Sequence, residues 1–329
     1  KQHRYSSGII EAAAISEDGK LSLTVESGKV CLWENESHQL KMPCITGQSA
    51  ENVELVGVSN SHQYIFLSNR MSVSVYKVTS EKVQPVVINE WYADNNIIND
   101  IAMSASGDTL LLGYRNGQSS VITVKDGNKR TFKHHRLDIN SVALSSDGQL
   151  ALTGSSDKTA VLWRTQSGDK VSSFDHRTRV NHVDINALGT VAFTLDSIND
   201  RRFWELVSHT EQSELQTSIR FIEVNHSAFS ANNEYFLTGS PKRKLQLWRV
   251  ADGELVGEWL ASQIGRSSVL QVAFVSPTAI AIITSDGMYE EFSLVSGGDT
   301  GISLASVNGN NSSNKSSNVS VSLNLNIHF

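Results

Sequence analysis

The chain has 329 residues, 39% of them apolar and 19% charged, with a formal net charge of −6 and a sequence pI near 5.9. This mildly acidic balance gives no global case for nucleic acid, and no apolar run approaches the roughly 20 residues that span a bilayer. Cys31 and Cys44 are the only cysteines, which excludes a disulfide framework and a cysteine zinc set and leaves a single bridge open.

The chain opens at Lys1 rather than Met, which reads either as a removed leader or as a shortened chain. Ala13–Ile15 then predicts a first short strand, turned by Glu17-Asp18-Gly19 and followed by strands that end at Trp33. The first strand recurs at Val56–Val58, Ile101–Met103, Val183–Ile185, Ser227–Phe229 and Val272–Phe274, and the turn at Ser106-Gly107-Asp108 and Ala231-Asn232-Asn233. The apolar anchor recurs as Trp33, Tyr76, Ile122, Trp163, Trp204, Trp248 and Phe292, at gaps of 43, 46, 41, 41, 44 and 44 residues. So regular a period means one small unit copied seven times.

The fourth copy is the cleanest. It predicts strands over Val142–Leu144, Leu150–Thr153, Thr159–Trp163 and Lys170–Phe174, with turns at Ser146-Asp147-Gly148 and Ser155–Lys158. Four strands in about 41 residues leave no room for a helix, so the unit is an antiparallel meander that needs neighbours to cover its edge and apolar face. Small residues in the middle of each first strand fit crowding near a central axis. The predicted fold is therefore all-β: a seven-bladed β-propeller of four-stranded antiparallel blades over residues 1–307.

Beyond residue 307 the composition changes. Residues 308–318 form an Asn/Ser-rich linker, and 319–329 alternate Val319, Val321, Leu323, Leu325, Ile327 and Phe329 with polar residues, a one-faced C-terminal β-strand. Such a strand has to add to a sheet edge, either its own propeller's or another subunit's. Its apolar alternation and final Phe are also similar to the last strand of bacterial outer-membrane barrels, a hint of envelope residence, although one strand makes no barrel.

The repeats resemble the WD40 family, whose pattern is a His before strand one, an Asp between strands two and three, and a Trp ending strand three. His135, Ser155, Asp157 and Trp163 match it most fully, and the resemblance implies that they form the family's hydrogen-bonded structural tetrad. His176 and Trp204 match in the fifth copy, and Thr238, Ser240 and Trp248 in the sixth; the Asp that usually follows the Trp is replaced by Glu34, Arg164, Glu205 and Arg249. In the family the chain ends share one blade. Here either residues 300–307 or residues 1–5 supply the outer strand of the last blade.

No catalytic pattern emerges: there is no Gly-x-Ser-x-Gly elbow and no phosphate-cradling Gly loop, so the chain reads as a non-enzyme with no cofactor and no metal. His134, His135, His176 and His182 are the one histidine cluster, and a metal-binding sensor or enzyme built on the first three is an alternative; structural hydrogen bonding is the plainer account. A propeller would gather basic residues of blades four to seven on one rim, the top face: Arg136, Lys158, Arg177, Arg179, Arg201, Arg202, Lys242, Arg243, Lys244 and Arg266. That sector suits an acidic or phosphorylated protein partner, or an anionic lipid headgroup met by peripheral membrane contact. Nucleic acid is disfavoured because no aromatic residues interleave the bases. Trp91 and Tyr92 read equally as an exposed aromatic anchor or as local packing. The function expected is a non-catalytic protein–protein interaction scaffold, in the bacterial periplasm or cell envelope rather than the cytoplasm, with self-assembly through the C-terminal strand as an alternative.

Overall fold

A computed structural model of the chain describes residues 1–80, 82–198, 200–206, 210–214, 224–240, 244–260, 267–297 and 301–306. It contains seven antiparallel sheets arranged as the blades of a propeller; six are meanders of strands consecutive in sequence, and the seventh adds a strand from the other end of the chain. The fourth blade runs Ile139–Leu144, Leu150–Ser155, Thr159–Arg164 and Lys170–Asp175, each strand within a few residues of its sequence expectation.

The core is divided among the seams. Seven clusters of buried apolar side chains each join two neighbouring blades, and the last joins blade seven to blade one and so closes the ring. The recurring anchors lie in these seams: Ile122, Trp163 and Trp248 are wholly buried, and Tyr76 and Trp204 nearly so. One blade cannot bury its faces alone, which is why the repeat must close on itself.

The small residues of the innermost strands are Ala14, Gly57, Ala102, Ala143, Ala228 and Ala273. At Gly57 an added Cβ would lie 2.1 Å from the Phe66 ring, so the close approach requires glycine. Gly148 has φ +71° in the turn after the first strand of blade four, where only a glycine sits without strain. A buried side chain stands just before that turn in six blades: Ser16, Ser59, Ser104, Ser145, Asn186 and Ser230. In blade four the Ser145 hydroxyl donates to Asp147 (2.6 Å) and accepts the Leu150 N–H (3.0 Å), tying the turn shut.

Adjacent blades are also laced by polar side chains near the axis. Asn99 Nδ2 donates to the Ile139 carbonyl (2.9 Å) and Asn140 Nδ2 to the Val180 carbonyl (2.8 Å), so each amide grips the next blade. One position further on, Asp100 accepts the Val142 N–H (2.8 Å) and the Ser141 hydroxyl accepts the Val183 N–H (3.2 Å).

Closure uses both chain ends. Gln2–Arg4 pairs with Met288–Glu290, and Gly301–Ser306 pairs with Phe292–Gly297, so each end supplies half of the outer strand of blade seven. The two alternatives left open by the sequence are both realised. Blade one departs from the pattern: its outer strand is broken into Gln39–Leu40 and Ile45–Thr46, both paired with Lys29–Glu34. A Cys31–Cys44 disulfide fastens the excursion between them to the third strand. The linker at 308–318 and the strand expected at 319–329 lie outside the described residues.

Candidate functional site

Loops that lead into each blade share the top rim with the turns between second and third strands. Their backbones are bonded together along blades four and five. Arg136 N–H donates to Asp157 Oδ2 (3.0 Å), His176 N–H to the Lys158 carbonyl (2.9 Å), and Ser197 N–H to the Arg179 carbonyl (3.0 Å). This lacing brings Arg136, Lys158, Arg177 and Arg179 onto one continuous surface, all four exposed. Arg136, Lys158 and Arg177 have no acidic partner within 4.0 Å among the described residues, while Arg179 donates to Ser197 Oγ (2.9 Å). The same loops carry two exposed apolar side chains, Leu137 next to Arg136 at 52% exposure and Ile198 next to Ser197 at 54%.

The remaining basic residues part from this group. Arg201 is only 6% exposed, held between blades by its place in the third strand of blade five, so it is withdrawn from the surface expected for it. Arg202 is clamped on Asp200 by two bonds (2.7 and 2.8 Å) and lies over the Trp204 ring at 5.7 Å. Lys244 pairs with Glu258 at 3.0 Å. Lys242, Arg243 and Arg266 fall outside the described residues. The Trp91–Tyr92 pair divides. Trp91 is buried against blade three with its Nε1–H on the Gly127 carbonyl (3.0 Å), whereas Tyr92 is 62% exposed.

Beneath the rim lie two buried relays. In blade four, His135 Nδ1 faces Asp157 at 3.1 Å and its Nε2 faces Thr153 Oγ1 at 2.8 Å; the Thr159 hydroxyl donates to Asp157 at 2.7 Å. Burial, outweighing the neighbouring carboxylate, holds the His135 pKa below its ordinary value. Burial pushes the Asp157 carboxyl up, but bonds from Thr159, the Arg136 N–H and His135 together hold it below the usual range. The pair is therefore a neutral imidazole donating to a carboxylate. Ser155, expected as a relay member, instead donates to the Leu137 carbonyl (3.1 Å) and accepts the Asp157 N–H (3.1 Å). Trp163 Nε1 has no hydrogen-bond partner among the described residues, and its ring stacks on His134 at 4.6 Å.

Blade five joins the Trp, Thr and His but leaves the His–Asp link without a hydrogen bond among the described residues. Thr194 Oγ1 accepts the Trp204 Nε1–H (2.7 Å) and lies 2.9 Å from His176 Nε2, whose other nitrogen is 3.6 Å from Asp200. Thr24 and Thr238 serve Trp33 (2.9 Å) and Trp248 (3.1 Å) in the same way. The sequence signal for this threonine is its place nine or ten residues before each Trp, a spacing that the serine of the family pattern obscures.

His134, His135 and His176 do not converge: His134 Nε2 bonds the Gly168 carbonyl (2.8 Å), and the other two belong to separate relays. Among the described residues one trio brings metal-type ligand atoms within 4.8 Å, His176, Asp196 and Asp200. Its oxygens are already engaged. Arg202 occupies both oxygens of Asp200, and Asp196 accepts the N–H groups of Thr178 (3.2 Å), Ile198 (3.0 Å) and Asp200 (2.8 Å). With a guanidinium compensating the charge, the trio is a structural relay.

A central channel of about 660 Å³ runs along the innermost strands. Its lining includes Asp100, Asp184, His182 and His226. Burial pushes Asp184 up to about 7 and Asp100 up to about 6, and it brings His182 and His226 down to about 4. Their partners span blades: Ser227 Oγ donates to Asp184 (2.6 Å) and lies 2.7 Å from His182 Nε2. These groups fasten blade five to blade six.

Seven closed blades, a threonine relay behind the tryptophans and loops gathered on one rim define a repeat β-propeller. The family description WD domain, G-beta repeat matches residues 127–164, from the outer strand of blade three through the third strand of blade four. That match and the ring of seven four-stranded blades together make this chain a WD40-type β-propeller. No curated protein matches it.

Proposed function

We propose that this propeller is a non-catalytic protein–protein interaction scaffold that receives an acidic partner on the top face at the junction of blades four and five. The WD40 propeller fold is generally a protein-interaction scaffold. The observation that supports this face is that Arg136, Lys158 and Arg177 are exposed, with no acidic partner within 4.0 Å among the described residues, on bonded loops that also carry exposed Leu137 and Ile198. Cations without local partners favour an acidic ligand and speed its encounter, and the apolar side chains supply area to bury. The Cys31–Cys44 pairing supports an oxidising compartment such as the bacterial periplasm or envelope.

The experiment is capture from the native source with the unaltered protein and with Arg136→Glu/Lys158→Glu/Arg177→Glu. All three positions are exposed, so folding is retained, and circular dichroism checks it. The expected result is a partner whose capture weakens steeply with salt and is lost in the triple variant. A partner captured equally by both proteins places binding elsewhere and sinks this assignment.

A further inference from the structure

The loops of the top rim are bonded into one band that begins in blade two and ends at the cations of blade five. The turn at 69–71 holds the end of blade two's outer strand, with the Ala93 N–H on the Met71 carbonyl (2.8 Å). It also grips the approach to blade three. The Ile98 N–H donates to the Arg70 carbonyl (2.9 Å), and Arg70 Nη1 donates to the Asn99 carbonyl (3.1 Å). The turn at 115–117 in blade three continues the band, since the Arg115 N–H donates to the Ile97 carbonyl (3.1 Å). A Cβ added to Gly117 would lie 2.6 Å from the His135 carbonyl oxygen and 2.8 Å from that of Leu137, so this turn packs directly on the loop that carries Arg136. From there the His176 N–H on the Lys158 carbonyl leads to Arg177 and Arg179.

The exposed side chains change character along this band in blade order. In blade two Met71 is 53% exposed and Tyr92 62%. The charged groups around them are engaged: Glu54 pairs with Arg70, Asp94 with Lys129 at 2.6 Å, and Glu90 accepts the Tyr92 hydroxyl (3.0 Å). This end of the band is therefore an apolar anchor, of the residue types that adapt to a partner and carry interface energy. Arg115 in blade three is exposed and, like Arg136, Lys158 and Arg177, has no acidic partner within 4.0 Å among the described residues. Asp138 and Asp175, the acids on these loops outside the buried relays, are outnumbered by these cations. Guanidinium groups take carboxylates in paired, charge-assisted bonds. Apolar at one end and cationic along the rest, the band has an order that one extended chain can match.

We infer that the top face binds one extended peptide segment whose apolar stretch seats on Met71 and Tyr92 and whose acidic stretch runs over Arg115 to the cations of blades four and five. This segment is the acidic partner proposed above with a second, apolar contact added, so it rests on that reading. Selection on the full chain of phage-displayed random peptides of about 16 residues, which reach about 50 Å when extended, supplies the probe. Enriched peptides should carry an acidic run and an aromatic or aliphatic run together. By fluorescence anisotropy their binding should weaken roughly tenfold or more in Met71→Ser/Tyr92→Ser. Arg115→Glu should weaken it by a similar factor, and that loss alone should shrink as salt rises. All three positions are exposed, and circular dichroism checks folding. Acidic peptides that lose binding in Arg136→Glu/Lys158→Glu/Arg177→Glu but keep it in Met71→Ser/Tyr92→Ser would overturn the apolar contact and leave the acidic top face standing. Full binding in Arg115→Glu would break the path between the two contacts and overturn it as well. Peptides indifferent to every variant would sink both readings, and enrichment of no peptide at all would overturn the extended segment.

Discussion

Thr194 occupies the centre of its relay because it meets both the Trp204 N–H and His176 Nε2. Thr153 meets His135 and the Val161 carbonyl but not its tryptophan, because the Trp163 indole turns instead against His134. The two positions are equivalent in sequence and unequal in load. Leaving a buried donor or acceptor unsatisfied costs about 1–3 kcal/mol. Thr194→Val, which keeps the shape and removes the hydroxyl, should therefore destabilise more than Thr153→Val, by an increment of about 1–3 kcal/mol in urea unfolding. Equal losses would mean that the Trp204 bond contributes nothing. The histidines and the Trp of these relays were legible as residues in the sequence, and so was Asp157. The choice of Thr153 over Ser155 was not, because both lie on the same face of one strand and only the depth of the His135 ring decides between them.

At the scale of elements, alternation and turn residues make most strands legible, since a strand in a propeller has one repeating environment along its length. Blade one shows where that legibility stops. Nothing local in Glu36–Cys44 says that the outer strand will break, because the break is held by a contact between Cys31 and Cys44, 13 residues apart. A bridge closing a loop of this size stabilises a fold by about 3 kcal/mol in the chain-entropy account. Cys31→Ser/Cys44→Ser should lower stability by about that amount, and added reductant should bring the parent down to the variant and leave the variant unmoved. The excursion sits at the ring's periphery, with Met42 and Ile45 buried in the seam to blade two. Loss of the bridge is thus expected to loosen that seam first, which amide exchange at Ile65 and Leu67 would report. If reductant has no effect on either protein, the bridge is not a stabilising element.

For the whole molecule the decisive step is closure. Blade seven needs an outer strand, and Gln2–Arg4 and Gly301–Ser306 each provide half; the first half leads Tyr5 into the seam with blade one, while Ile302 and Leu304 of the second pack in the seam with blade six. The sequence could name both candidates but not divide the strand between them, since that division depends on where the two ends meet on the same partner. Tyr5 is the residue that converts end pairing into core packing. It follows the Gln2–Arg4 strand, is buried, stacks on Trp33 at 4.8 Å and donates its hydroxyl to buried Asn35 Oδ1 at 2.6 Å. Residues this close to a terminus ordinarily fray and tolerate substitution. Here Tyr5→Ala should cost about 3–5 kcal/mol, the range for emptying an aromatic site in a core. Tyr5→Phe should cost only the orphaned Asn35 acceptor, about 1–3 kcal/mol. Urea unfolding of the three proteins separates the possibilities. A Tyr5→Ala cost below 1 kcal/mol would mean that the first strand lies on blade seven without locking it to blade one.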